Sequence, residues 1–368
     1  MIHEAASRPR RIAVVAHLRH PIAPPFMGGM EAHCDLLVRS LQDAGHQVTL
    51  FASGDSAPDL PVVSVAPLAY EGELPWALWR GTDRLNAWLA DAYARCWSAI
   101  LSGGFDIVHN NSLFAPIHDW ALRDGVPMVT SLHVPPFGPL RDAVARNRAP
   151  WLKLTVPSAS QLPLWGKNDA IRVAHNGIDL SRWRPADRGN GRALWFGRIT
   201  PNKGTLTALR AADAAGIALD LIGPVECSDY FAELAPYLRA PHTYLGHLSG
   251  SALAHRVAAA LVVLSTPMWD EPFGLVAAEA LASGVPVAAL DRGAMAEVIG
   301  DCGALAADEA ALPAAIHRAL SVSRAQCRRR AEQCFSADAM IARYAAAYDD
   351  ASATRPASSI SSTRALLA

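Results

Sequence analysis

The 368-residue chain is poor in several things, and each shortage removes a class of function. Its six cysteines are Cys34, Cys96, Cys227, Cys302, Cys327 and Cys334, and none is spaced C-x-x-C. The spacings read neither as a zinc site nor as a small disulfide scaffold, so no structural metal is expected. Free thiols, buried or half-buried in a reducing compartment, are the expectation. Charge is sparse: 18% of residues are ionic, 33 Lys and Arg against 34 Asp and Glu, for a net charge of −1. A general nucleic-acid binder needs a basic face, so no nucleic acid is expected as a partner. The longest apolar run, 257–264, falls far short of the roughly 20 residues that span a bilayer. The start, MIHEAASRPRR, is polar and carries no signal-peptide apolar region. A soluble, cytoplasmic protein with at most peripheral membrane contact is expected. The G-x-G-x-x-G fingerprint is missing too, which disfavours a dinucleotide-dependent oxidoreductase.

What is present is a 51% apolar chain long enough for roughly two domains. The first half alternates strands and helices. Residues 11–17 (RIAVVAH) read as a buried strand, then a Pro-rich loop reaches Gly28-Gly29, and 31–44 carry helical spacing stopped by Gly45. Strands follow at 46–51, 61–67, 106–110 and 126–133, with a long helix over 83–101. The last of these strands delivers His133 to its carboxyl end, where open parallel sheets face their ligands. A second α/β pattern starts near 171, after which the polar, Gly-rich 184–191 reads as a linker. Strands are expected at 171–174, 192–196, 219–222, 243–245, 261–265 and 285–290, with helices at 206–215, 230–238 and 275–282. The fold class is therefore α/β, two Rossmann-like doubly wound domains, expected to face a central crevice.

Two segments carry the chemistry. In Trp269-Asp270-Glu271-Pro272-Phe273-Gly274-Leu275-Val276-Ala277-Ala278-Glu279 a strand ends, a loop follows and a helix begins near Gly274. Free amides at a helix start attract phosphate, and glycine lets a ligand approach closely. Glu271 lies just before the helix start, and Glu279 roughly 8 Å along the axis from it. Two carboxylates flanking a phosphate site could each grip a sugar-like diol. Taken alone, the same residues also suit a helix cap and a solvated helix face. In the second segment, Gly197-Arg198-Ile199-Thr200-Pro201-Asn202-Lys203-Gly204, a strand delivers Arg198, and Lys203 precedes a helix. A guanidinium fork and a compact ammonium would stabilise a departing diphosphate, although cations near helix starts are common.

The string from Glu271 to Glu279 resembles the E-x7-E signature of retaining glycosyltransferases with the GT-B fold, family 4 above all. Arg198 and Lys203 are similar to that family's G-R-x3-x-K-G segment. The resemblance implies that Glu271 contacts the donor sugar and Glu279 the nucleotide ribose. It implies that Arg198 and Lys203 neutralise the pyrophosphate beside Phe273, Gly274 and Leu275. Gly28 and Gly29 look like the family's N-terminal Gly-rich loop, and His133 like its strand-end histidine near the sugar. Asn176-Gly177-Ile178-Asp179 resembles an N-G-V-D turn. The segment 290–298 resembles a G-G-x-x-E loop in which Gly293-Ala294 replaces the glycine pair.

The resemblance spans roughly 11–348. It implies an N-terminal acceptor-side domain over 1–172 and a nucleotide-sugar domain over 173–334. A helix over 335–350 would cross back, and a Ser- and Ala-rich tail over 351–368 is expected to be disordered. The catalytic residues are expected to be His133, Glu271, Arg198 and Lys203. Trp76, Trp79 and Trp88 are candidates for stacking on an acceptor, or for packing a helix, and His109 is a further acceptor candidate. The cations Arg141, Arg146, Arg148 and Lys153 read as a solvated face. The implied activity is transfer of a hexose from a nucleotide diphosphate sugar, UDP-glucose before GDP-mannose, to an acceptor hydroxyl. That acceptor would be a lipid, a glycan or a small metabolite. No cofactor and no metal are expected. A catalytically silent sugar-nucleotide-binding scaffold and a GT-B epimerase are the alternatives. A phosphorylase would need a pyridoxal-phosphate lysine and a longer chain.

Overall fold

The computed structural model describes residues 8–356. Residues group into two compact units. The first holds the N-terminal part to Val156, Leu162–Ala174 and the residues from Ile341; the second holds Pro157–Gln161 and His175–Met340.

The first unit is built on a seven-stranded sheet. Its strands are β1 (Arg11–Val15), β2 (Gln47–Ser53), β3 (Val62–Ala66), β4 (Ile107–Asn110), β5 (Met128–Ser131), β6 (Leu152–Val156) and β7 (Ile171–Val173). They run parallel in the order β3-β2-β1-β4-β5-β6-β7. Every residue of β4 and β5 is buried, as a strand covered by helices on both faces must be. The covering helices include Gly29–Asp43 and the long Asp83–Gly103. Thr82 caps the start of the long helix by accepting from the Leu85 amide, and left-handed Gly104 ends it. Ala13, Val15, Val108 and Met128 pack against Tyr93, Trp97 and Ile100 of that helix in one apolar core.

The second unit repeats the plan with β8 (Ala193–Phe196), β9 (Leu219–Ile222), β10 (Thr243–Tyr244), β11 (Val262–Ser265), β12 (Val287–Leu290) and β13 (Gly303–Ala306). The parallel order is β10-β9-β8-β11-β12-β13. This is the doubly wound order, and it places a topological switch point between β8 and β11 as it does between β1 and β4. The Leu275–Ala282 helix is alanine-rich, and five of its eight residues are buried.

Several expectations need correction. The strand near 171 does not open the second domain: β7 pairs with β6 at the edge of the first sheet. Lys153, read with the solvated cations, lies half-buried in β6. Arg141, Arg146 and Arg148 are exposed, as a solvated face requires, and Arg146 grips Asp119 through two nitrogens. The helix expected over 335–350 is Ala337–Ala353; a separate helix, Arg324–Phe335, precedes it and ends at Ser336, which is extended. Of the expected tail, residues to Ala353 complete the Ala337–Ala353 helix, and the part from 357 onward lies outside the described residues. All six cysteines are free thiols, four of them buried. Among the described residues no helix is long and apolar enough to cross a membrane.

Candidate active site

In the second unit the expected donor residues gather at the carboxyl ends of β8 and β11. β8 delivers Gly197 and Arg198; β11 runs into the loop that carries Trp269 and Glu271. Lys203 ends a short turn, Pro201–Lys203, before the Thr205–Ala214 helix. Its Nζ donates to Glu271 Oε2 at 2.7 Å, and Trp269 Nε1 donates to the same oxygen at 3.0 Å. The ammonium also lies 5.6 Å from the Trp269 ring centroid. Two residues 68 positions apart, assigned separately to pyrophosphate and sugar, thus meet as one ion pair. Arg198 reaches a different carboxylate, Glu226, at 3.0 Å. Glu226 carries no mark in the sequence, because its segment matches no motif.

Gly274 precedes the Leu275–Ala282 helix with φ +89°, a left-handed conformation that glycine alone adopts without strain. A Cβ there would also lie 2.1 Å from Met295 Cε. No side chain caps this helix, and the Ala277 and Ala278 amides donate to the Gly274 carbonyl, so those of Leu275 and Val276 are the ones available to an anion. Phe273 requires a correction: its side chain is buried in the core, edge-on to Phe335 at 5.5 Å. Only its backbone can face a ligand. Glu279 sits half-buried one turn into the helix. Burial pushes its carboxyl up to about 8 against the opposing pull of the Arg182 guanidinium.

In the first unit the switch point has a different character. Gly28 is the extended residue before the Gly29–Asp43 helix, which has no side-chain cap and whose first turn carries buried Glu31. His133, two residues past β5, holds Asn111 Oδ1 at 3.1 Å through Nε2 and meets the His33 ring edge-on at 4.3 Å. Burial pulls His133 down to about 4, so it is neutral at pH 7. His109 is not where an acceptor contact would put it. It is fully buried, with Nδ1 2.6 Å from Tyr348 Oη and Nε2 2.9 Å from Ser131 Oγ. Burial lowers it to about 3. Sequence reading missed the partners that Ala337–Ala353 supplies to this network, Tyr344 and Tyr348; the aromatic spacing i, i+4 on a helix was the available signal.

The tryptophan cluster divides. Trp79 and Trp88 pack against the first unit's core, and Trp88 meets Tyr70 edge-on at 5.7 Å. Trp76 is 40% exposed on a one-turn helix beside Leu78, which is 76% exposed, and so only Trp76 of the three offers a free face.

The chain matches two family models, Glycosyltransferase Family 4 over residues 27–182 and Glycosyl transferases group 1 over 190–322. It is 29% identical over 340 residues to the D-inositol 3-phosphate glycosyltransferase of Mycobacterium marinum, covering 79% of this chain and 73% of that one. Among solved structures it resembles AviGT4, a glycosyltransferase involved in avilamycin A biosynthesis (TM-score 0.70, 24% identity, 94% of this chain and 98% of that one). It also resembles Anabaena Alr3699/HepE, solved with UDP and glucose (TM-score 0.70, 19% identity, 92% and 98%). A third likeness is to the sucrose-phosphate synthase of Thermosynechococcus elongatus (TM-score 0.73, 19% identity, 92% and 98%). Two Rossmann-like parallel sheets, with the motif residues collected at their strand ends, thus join two glycosyltransferase family matches that run one through each half: the chain is a family 4-like glycosyltransferase of the GT-B fold.

Proposed function

We propose that the protein transfers a hexose from a nucleotide diphosphate sugar, UDP-glucose first among candidates, to an acceptor hydroxyl with retention and without a metal. The observation that carries this reading is the Lys203–Glu271 pair, set at the strand ends of the second sheet beside the uncapped start of the Leu275–Ala282 helix. Lys203, Arg198 and the first amides of that helix form a fixed positive field for a diphosphate that gains charge as the sugar leaves. Such a field supplies what a divalent cation supplies in other transferases. Glu271 is assigned the sugar hydroxyls and Glu279 the ribose diol. His133 and the Gly28-Gly29 turn are assigned as the ligand-facing residues of the first unit. The neutral imidazole of His133 suits an uncharged hydroxyl better than an anion. The donor base follows the Anabaena neighbour, which was solved with UDP and with UDP-glucose.

Retention through a covalent sugar intermediate would require a carboxylate beneath the anomeric carbon. Glu271 is engaged by Lys203 and Trp269, and we assign it to positioning. Attack then comes from the face the leaving group departs, with a diphosphate oxygen accepting the acceptor's proton.

A thermal-shift and calorimetric screen of UDP, GDP, ADP and their sugar conjugates tests the donor. A ligand that binds only the folded state raises the melting temperature. UDP-glucose should give the largest shift, and transfer from it should survive a strong chelator. Equal indifference to all the nucleotides overturns the donor reading; loss of transfer on chelation overturns the metal-free one.

A further inference from the structure

The loop of residues 271–274 is held from behind by groups that have no part in the donor contacts described above. Ser158 is fully buried, and its hydroxyl donates to the Pro272 carbonyl at 2.6 Å. It belongs to Pro157–Gln161, the short stretch after β6 that groups with the second unit. The next residue, Ala159, donates its amide to Glu297 Oε2 at 2.8 Å. The other oxygen of that carboxylate, Oε1, lies 2.6 Å from His175 Nε2. The His175 ring in turn lies 6.1 Å from Phe273 and 5.5 Å, edge-on, from Phe335. Glu297 is thereby linked to Phe273 through His175 and to Pro272 through Ala159 and Ser158.

A second tie reaches Glu271 itself. Ala294 donates its amide to the Glu271 carbonyl at 2.8 Å. Gly293, at φ +59°, lies so close that a Cβ would meet Glu271 O at 2.3 Å and Glu271 N at 2.4 Å. Ala294 has φ −82° and ψ 1°, which any residue adopts. This explains why alanine stands where the family pattern has its second glycine: only the first position needs one.

We infer that Glu297, His175 and Ser158 are positioning residues that hold the 271–274 loop in the geometry its donor contacts require, an inference that rests on the donor reading above. The physical reason is economy of ordering. A loop that must present Glu271 and the first helix amides together loses affinity for each conformer it samples outside that arrangement. A part-buried charge-assisted hydrogen bond and a buried hydroxyl bond remove those conformers before the ligand arrives. The motif residue Glu297 thereby gains a role, and His175, just ahead of the N-G-V-D-like turn, and Ser158, unmarked in the sequence, join it.

The test uses the full chain with Ser158→Ala, Glu297→Ala and Glu297→Gln. Affinity for UDP-glucose is measured by calorimetry, well below every melting temperature. Amide hydrogen exchange is followed over residues 272–278. Glu297→Ala and Ser158→Ala should weaken donor binding at least fivefold, raise donor KM more than they lower kcat, and speed exchange over 272–278. Glu297→Gln should restore most of both, because its amide can accept from Ala159 and donate to His175. Should Glu297→Ala fail to fold, Ser158→Ala, which deletes one oxygen, carries the test. Lowered melting temperature with donor affinity and loop exchange within twofold of the parent overturns the inference. If the parent binds no nucleotide sugar, the donor reading fails instead, and the exchange data still decide whether the loop is held this way.

Discussion

The two units share a strand order and differ in what they place at its switch point. In the second unit the strand ends carry charge: Lys203 against Glu271, Arg198 against Glu226, with Glu279 behind. In the first unit they carry a neutral network of His33, His109, His133, Tyr344, Tyr348, Asn111 and Ser131. Burial holds His109 at about 3, His133 at about 4 and His33 well below its ordinary value. Topology thus sets where a ligand can lie, and side chains set what it can be. A field of fixed cations suits an anion. A network of neutral donors and acceptors suits hydroxyls. The same contrast gives the units different responses to acid. The unfolded chain binds a proton on each histidine near 6.5, whereas the folded first unit resists until about 4. Their contribution to stability is therefore complete above pH 6.5 and is lost as pH falls toward 4. Hydrogen exchange, corrected for intrinsic rates, should accelerate in β4 and β5 over that window more than in β11 and β12; equal responses would remove the contrast.

The largest expected effects lie on the charged side. Glu271→Gln should cut transfer more than tenfold while the fold survives, because the amide cannot hold Lys203 and the sugar hydroxyls as a carboxylate does. Lys203→Ala should weaken nucleotide diphosphate binding at least tenfold and nucleoside binding hardly at all. Unchanged transfer in the first variant, or equal losses for both ligands in the second, would dissolve the assignment of this pair. Because Lys203 and Glu271 touch, their effects should be non-additive, and a double-mutant cycle measures by how much.

Glu279 provides a smaller and sharper test. With its carboxyl raised to about 8 it is mostly protonated at pH 7. Ribose hydroxyls donate best into a carboxylate, so a nucleotide bound there lowers that value and expels the proton. Calorimetry of UDP binding in buffers of different ionisation enthalpy should show proton release near pH 7 that vanishes by pH 9, where the group is already ionised. Glu279→Gln should abolish it. Release that persists in the variant would place the proton elsewhere.

The contrast between the units also explains what the sequence made legible. The candidate donor residues of the second unit lie in two short strings, each a strand end, a loop and a helix start, so local pattern read with the family resemblance singled out Arg198, Lys203, Glu271 and Glu279. The first unit's network is assembled from residues 33, 109, 111, 131, 133, 344 and 348, and only the tertiary fold brings these together. His109 looked like an acceptor contact because a strand-end histidine and an interior one are written alike. Phe273 looked like a donor contact because it stands among the residues proposed to face the donor, whereas its side chain turns into the core. Fold class was legible because buried parallel strands are nearly continuous apolar runs. The edge strand β7 was misassigned because three residues, IRV, carry no signal of which sheet they join.

The smallest expected effect lies deepest in the neutral network and tests whether it is structural. Ser131 Oγ donates to Tyr344 Oη at 3.1 Å, so its remaining capacity toward His109 is as an acceptor. His109 then carries its proton on Nε2, and Nδ1 accepts from the Tyr348 hydroxyl. Tyr348→Phe keeps the ring that packs on His109 at 5.8 Å and leaves Nδ1 buried without a donor. The cost of such an orphaned group is about 1–3 kcal/mol, which urea unfolding can resolve. Donor affinity should stay within twofold, since Tyr348 touches none of the charged residues. A Tyr348→Phe protein as stable as its parent would mean that the bond between Nδ1 and Tyr348 adds nothing net to the fold, whichever of the two donates. A loss of donor affinity at unchanged stability would mean that the neutral network serves ligand binding rather than the fold, and the division between the two switch points would have to be redrawn.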